Sequence, residues 1–253
     1  PVTGHIQPGR PFRRKHKTQR PLAARNEHWR SATRQTLVDV DVREEVAAGW
    51  RSMAAAEAAS VAAFSSLSQQ LLAIGAPSEF LVMAHEDALD EIEHARLCYE
   101  TARSIDGKPL GAAPFAAALL PGPRTVTDLS FAKDCLKESC VMEGAAADIA
   151  RQLVPLTSPP LRAVMETIAS DEARHAAHGW LMLEWLVTQR GVDIDALMDV
   201  VHQLRNESFG NHTDDRFERY GLAGSDRWTS TVHASIDNAE ERLGSLRVGE
   251  LAG

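Results

Sequence analysis

Two stretches of the chain, Asp90-Glu91-Ile92-Glu93-His94 and Asp171-Glu172-Ala173-Arg174-His175, each contain Glu-x-x-His. On an α-helix, positions i and i+3 lie about 300° apart, so carboxylate and imidazole leave the same face. Such mixed donors suit iron or manganese better than structural zinc. One copy is a common chance pairing; two copies, each following a further inward-facing Glu on the preceding helix, predict a dinuclear metal site. Glu57, Glu91 and His94 would serve one ion, and Glu143, Glu172 and His175 the other, with Glu91 and Glu172 bridging. A buried ionised Glu is costly unless paired or metal-bound. Four carboxylates neutralise a divalent pair, and the imidazoles stay neutral.

Helical phase selects these residues. Glu57 falls beside Val61, Phe64 and Leu71, with Arg51, Ser66, Gln69 and Gln70 opposite. Glu91 and His94 share a face with Ala84, Ala95 and Cys98, while Glu93, Arg96, Glu100 and Arg103 face away. Glu172 lies with Met165, Ile168 and Ala169, and Arg174 does not. The third helix offers two acids. Glu143 aligns with Leu136, Cys140, Ala147, Ala150 and Val154, and Glu138 falls on the shoulder of the polar face. Spacing favours the other choice: Glu57 precedes Glu91 by 34 residues and Glu143 precedes Glu172 by 29, whereas Glu138 would restore 34. Glu143 is therefore the expected ligand and Glu138 the alternate. Asp87, one turn before Glu91, bonds either a ligand or its own helix. His178 reads as a packing or supporting residue, His85 as solvent-facing, and Cys98 and Cys140 as small core fillers.

These positions need helices to carry them. A helical pattern runs from about Asp41 to Ile74, and Gly75-Ala76-Pro77-Ser78 stops it and starts the next, with Ser78 as cap. The second helix runs to about Ile105. An Ala/Pro/Gly-rich link of roughly 20 residues follows, long for a compact domain but suited to a crossover between two antiparallel hairpins. Thr127 or Asp128 caps the third helix, to about Val154. After a Pro155–Pro160 turn, the fourth runs to about Gln189, ending at Gly191. A fifth helix spans Asp193 to about Glu207, Gly210–Gly224 is a loop, and Ser225 starts a last helix to about Leu243. The two hairpins form a weak internal repeat. The expected fold is all-α. A basic arm covers 1–35, a four-helix bundle 36–190, and a C-terminal helical extension 191–253.

Composition agrees. Of 253 residues, 44% are hydrophobic, enough for a sizeable core, and no alternating β-branched run is long enough for a sheet. The three Cys form no CxxC pair, so a disulfide framework is not expected and a reducing, cytoplasmic setting is. No apolar run approaches the roughly 20 residues of a membrane span, and no secretory leader pattern opens the chain. Net charge is −8, unevenly spread: residues 1–35 carry nine Lys/Arg against one acid, Glu27. Without an aromatic stacking set, the arm reads as neutralising its own acidic domain rather than binding nucleic acid.

The motifs resemble those of the ferritin-like superfamily of carboxylate-bridged di-iron proteins, over about Val46 to Arg190. More narrowly, Gly9-Arg10-Pro11, AEAASVAAFSSLSQQLLAIGAP (56–77), DEIEHARLCYETA (90–102), ESCVMEG (138–144) and IASDEARHAAHGW (168–180) resemble a bacterial group of ferritin-like domain proteins. The resemblance implies a ferritin-like bundle with Glu57, Glu91, His94, Glu143, Glu172 and His175 as ligands to two iron ions, manganese or a mixed pair being alternatives. The leading functional expectation is an O₂- or peroxide-activating oxidoreductase, of oxygenase or oxidase type, with an external electron donor and a small-molecule substrate. A ferroxidase or peroxide-handling protein is the second. A non-catalytic binding or cargo protein is the third, because Leu243–Leu251 resembles the Gly-Ser-Leu-Arg peptides that dock cargo inside encapsulin shells. A homodimer is permitted by the Ala-rich helices, and no membrane partner is expected.

Overall fold

The structure is a computed structural model and describes residues 13–14, 17–26, 28–29, 38–114, 125–209 and 213–251. It is mostly helical. Helices α1 (Arg43–Ala73) and α2 (Ser78–Asp106) form the first hairpin. Gly75, at φ +65°, makes its turn, and the Ala76 amide donates back to Leu71 O at 2.9 Å. Ser78 is the first residue of α2, not its cap; Pro77 holds the capping position, and the Ser78 hydroxyl donates to Glu79. Proline's fixed φ and missing N–H make it a natural lead-in to a helix, which leaves the hydroxyl no capping role.

The second hairpin begins at Thr127. Its hydroxyl accepts from the Ser130 amide, and the Ser130 hydroxyl accepts from the Thr127 amide, a reciprocal cap. Helix α3 (Asp128–Asp134) then runs without a break into a nine-residue π-helix, Cys135–Glu143, and on into α4 (Gly144–Leu153). The sequence pattern predicts ordinary α-helix throughout, and the π segment departs from it. The π segment packs tightly on α5 (Pro159–Arg190): Gly179 brings its backbone so close that a Cβ there would meet Ser139 Cβ at 2.5 Å. Cys135 Sγ also donates to Gly179 O. A 3₁₀ turn, Val154–Leu156, leads toward α5, which opens on Pro159 and closes on Gly191 at φ +67°. The two hairpins meet mainly where α2 packs on α5.

The described part of the arm is extended, as expected, and is held down. Strand β1 (Arg13–Arg14) pairs with β2 (Lys17–Thr18), and β3 (Ala23–Arg25) pairs antiparallel with β4 (Leu110–Ala112) in the crossover. A Cβ on Gly111 would meet Asn26 O at 3.0 Å, so glycine is needed there. Trp29 stacks edge-on to Tyr99 of α2, ring centroids 6.1 Å apart. The Gly9-Arg10-Pro11 stretch and residues 115–124 of the crossover lie outside the described residues.

The C-terminal extension shares the same core. Helix α6 (Ile194–Arg205) is capped by Asp193, whose side chain accepts from the Asp195 amide. The expected loop contains a 3₁₀ segment, Asp215–Tyr220, and Trp50 Nε1 donates to Tyr220 O at 2.9 Å. Helix α7 (Ser225–Leu251) runs past the expected stop near Leu243, so residues 244–251 continue the helix. Trp228, Val232, Ile236, Ala239 and Leu243 recur at helical spacing and are all fully buried. Two residues expected on polar faces are buried. Glu100 pairs with Arg103, and Gln70 donates to Ser66; each is satisfied by a neighbour on its own helix, three or four residues away. No helix among the described residues is long and apolar enough to cross a membrane.

Candidate metal centre

Each expected ligand reaches the centre from the helix that was read for it. Glu57 comes from α1, Glu91 and His94 from α2, Glu143 from the last π residue, and Glu172 and His175 from α5. All six are at most 4% exposed. Their donor atoms gather in two groups. Glu57, Glu91, His94 and Glu172 form one, and Glu91, Glu143, Glu172 and His175 the other. Within each group, one donor atom per residue lies within 4.8 Å of every other. Glu91 and Glu172 belong to both. Glu138 is only half-buried and belongs to no such group among the described residues.

Axial rise explains why Glu143 is level with Glu172 despite the short spacing. From Ser78 to Glu91, and from Pro159 to Glu172, the offset is 13 residues in each case, about 20 Å of α-helix. From Glu143, ten residues of α4 rise about 15 Å, and the three 3₁₀ residues add about 6 Å because each rises about 2 Å. The two paths to the turn match within about an ångström.

The histidines are oriented from behind, and crosswise. His94 of the first motif bonds Asp171 of the second, Nε2 to Oδ2 at 3.1 Å. His175 of the second bonds Asp90 of the first, Nε2 to Oδ2 at 3.2 Å. Arg174 bridges the two carboxylates, meeting Asp90 through Nη2 and Asp171 through Nη1. With a metal bound and Nε2–H donated outward, each ring would present its Nδ1 lone pair to the centre. His94 Nδ1 lies 3.6 Å from Glu172 Oε1, and His175 Nδ1 lies 3.3 Å from Glu91 Oε1. Phe64 packs edge-on against His175, centroids 5.4 Å apart. Asp87 is fully buried behind the centre; it accepts from His178 Nδ1 at 2.9 Å and lies 3.6 Å from His175 Nε2.

Asp90, Asp171 and Arg174 were not picked out from sequence as working residues. The signal was present: an Asp stands immediately before the Glu in both motifs. From the arm, Arg20 reaches Ser52 Oγ, and its charge attracts that of Glu57.

The electrostatics are those of buried carboxylates crowded beside two imidazoles. Burial, then the neighbouring Glu91 and Glu172, hold the Glu57 carboxyl well above its usual range. Burial and Glu172 also raise Glu91. Burial works against the imidazolium of His175, but Asp90, Glu91 and Glu172 outweigh it and raise it to about 10; His94 is likewise held well above normal, against burial, by Asp171 and Glu172. For Glu172, contacts with Glu143 and His94 overcome burial and bring it to about 2. Glu57 Oε2, both Glu91 oxygens, Glu172 Oε2 and both Nδ1 atoms are buried and make no hydrogen bond of good geometry. Inward-facing donors left in this condition fit a bound metal, which would relieve both the crowding of like charge and the unmet hydrogen bonding. The cluster could hold a metal ion.

Comparison of the chain with protein-family models, curated proteins and solved structures returned no match.

Proposed function

We propose that the two hairpins form a ferritin-like four-helix bundle whose core holds two iron ions, and that the protein is an oxidoreductase that activates O₂ or peroxide. The observation that carries this reading is the sharing of Glu91 and Glu172 between two four-residue donor groups. Two carboxylates common to two sites are what a bridged pair of ions requires. Mixed Glu and His donors favour iron or manganese.

When bound, a ferrous pair supplies the electrons for reducing O₂ or peroxide. The chain's own residues do the rest. Glu57 and Glu143 would hold one ion each from the flanks, and Glu91 and Glu172 would span both. Asp171 and Asp90 keep His94 and His175 in the ligating tautomer. Helix packing by Ala84, Ala95, Cys98 and Leu136, all buried, excludes water around the ligands.

The test is elemental analysis after iron-replete expression, followed by reductant-dependent O₂ uptake. About two irons per chain with ferric absorption in the near-ultraviolet supports the reading. Folded, iron-replete protein without stoichiometric metal refutes it. Rapid Fe(II) oxidation that no organic compound alters would redirect the assignment to a ferroxidase.

A further inference from the structure

A cavity of about 40 Å³ lies against the Glu/His cluster, with Glu57 and Glu172 in its wall. Elsewhere the wall is apolar apart from Thr213, supplied by Met53, Ile149, Leu153 and Ile168 among others. The remaining side is not part of either hairpin. It is formed by Thr213, Gly221, Leu222, Ala223 and Trp228 of the C-terminal extension. Close contacts fix that side: Leu222 seats directly over Gly49, where any Cβ would meet its Cδ1 at 2.4 Å. Gly221, at φ +78°, leaves room for Trp50.

Three properties define what fits. The first is size. A water needs about 10–15 Å³ by this measure, and an engineered cavity of about 150 Å³ takes benzene, so about 40 Å³ suits a few heavy atoms. The second is charge. No Lys or Arg lines the cavity, and two acids do, so nothing there would neutralise an anion. The third is one polar demand. Trp228 is fully buried, and its Nε1–H is a donor with no partner. The other fully buried indole, Trp50, has its carbonyl. An unmatched donor on a residue that lines the cavity is best satisfied by an acceptor from the ligand.

We propose that this cavity is the substrate pocket and takes a compact, neutral aliphatic molecule of a few heavy atoms carrying one acceptor oxygen, such as a short ketone, aldehyde or alcohol, with that oxygen bonded to Trp228 Nε1–H. The C-terminal extension is thus a wall of the site. The pocket's reactivity rests on the metal-centre reading; its binding does not.

The test uses acetone as probe and propane as its acceptor-free counterpart, on the 253-residue chain labelled with ¹⁵N and with ¹³C at the methionine methyls, with diamagnetic zinc(II) present. Acetone should shift one indole N–H signal saturably: the signal missing from Trp228→Phe. Propane should move the methyl of Met165, which lines the pocket, and leave that indole N–H in place. Trp228→Phe should weaken acetone about fivefold and propane not at all. Ala150→Leu, which adds bulk to the wall, should abolish binding of both; if that variant fails to fold, the comparison of the two probes on the unaltered chain decides. No saturable shift, or equal shifts at all indoles, overturns the proposal. Zinc content is measured on the same samples. Stoichiometric zinc without probe binding sinks the pocket alone, and probe binding without zinc sinks the metal centre alone.

Discussion

Replacing Asp171 with Ala removes the acceptor behind His94 without touching any donor atom of the cluster. The lost bond is the 3.1 Å contact from His94 Nε2. Bonds to a charged group contribute about 1.5–3 kcal/mol. The Asp171 side chain is 20% exposed, so water would replace part of this. About 1–2 kcal/mol should remain, which is roughly a 5- to 30-fold weakening of metal binding. Asp90→Ala removes the equivalent bond to His175, but Asp87 Oδ1 stands 3.6 Å from the same nitrogen and can take over after a small shift. The loss should therefore be smaller for Asp90→Ala than for Asp171→Ala, and the Asp87→Ala/Asp90→Ala double variant should restore the full effect. Cobalt(II) binding, read by its visible absorption in competition with a chelator, measures all of these. If Asp171→Ala binds within twofold of the parent, or Asp90→Ala suffers more, the crossed support of the histidines has been misjudged.

Further outcomes follow from the same geometry. Glu91→Ala and Glu172→Ala should each lose most bound metal, whereas Glu93→Ala, whose half-exposed partner is Arg96, should keep it; equal metal content in all three, by elemental analysis, would contradict the ligand set. Gly179→Ala gains up to about 1 kcal/mol of helix propensity but places a Cβ 2.5 Å from Ser139 Cβ, so a net loss of about 1–2 kcal/mol is expected in urea unfolding, and a stabilised variant would mean the π segment is not pressed against α5. Thr127→Ala should cost about 1 kcal/mol, checked by the same method. Without metal, stability should depend on pH in one direction above neutrality. His175, raised to about 10 in the fold, contributes fully below its unfolded value of about 6.5 and loses that contribution as pH climbs to about 10. The raised Glu57 and Glu91 also lose stability as pH rises from about 4.5, while Glu172, at about 2, holds its contribution above about 4.5 and loses it only on acidification. Urea midpoints with chelator present should therefore fall between about pH 6.5 and 10, and metal should flatten the curve; a rising midpoint would refute the assignment.

Most helix limits were legible because their punctuation is local. Gly75, Gly107 and Gly191 all take positive φ at helix ends, and Thr127 and Asp193 cap with their own side chains. The inward faces of α1, α2 and α5 followed from the 100° rule, which is why Glu57, Glu91, His94, Glu172 and His175 could be chosen. That rule fails in Cys135–Glu143, where hydrogen bonds run i→i+5. Glu143 was still selected, because the α-helical residues after it, Ala147 and Ala150, carry the phase back to it. Ser78 looked like a cap since only geometry shows that Pro77 already occupies the place. Asp90 and Asp171 are half-buried residues whose role depends on the opposite hairpin, and no single-helix pattern contains that information. The same holds for Trp228, whose unmatched donor appears only once the helices are packed.

The crossed contacts span 77 residues, from His94 to Asp171, and 85, from Asp90 to His175. Neither hairpin can complete a histidine's support by itself. Contacts so distant along the chain must wait for loop closure and the docking of α2 on α5. Competence to bind metal should thus arrive late in folding, after most helix has formed, and nascent half-chains should be unable to capture a metal ion.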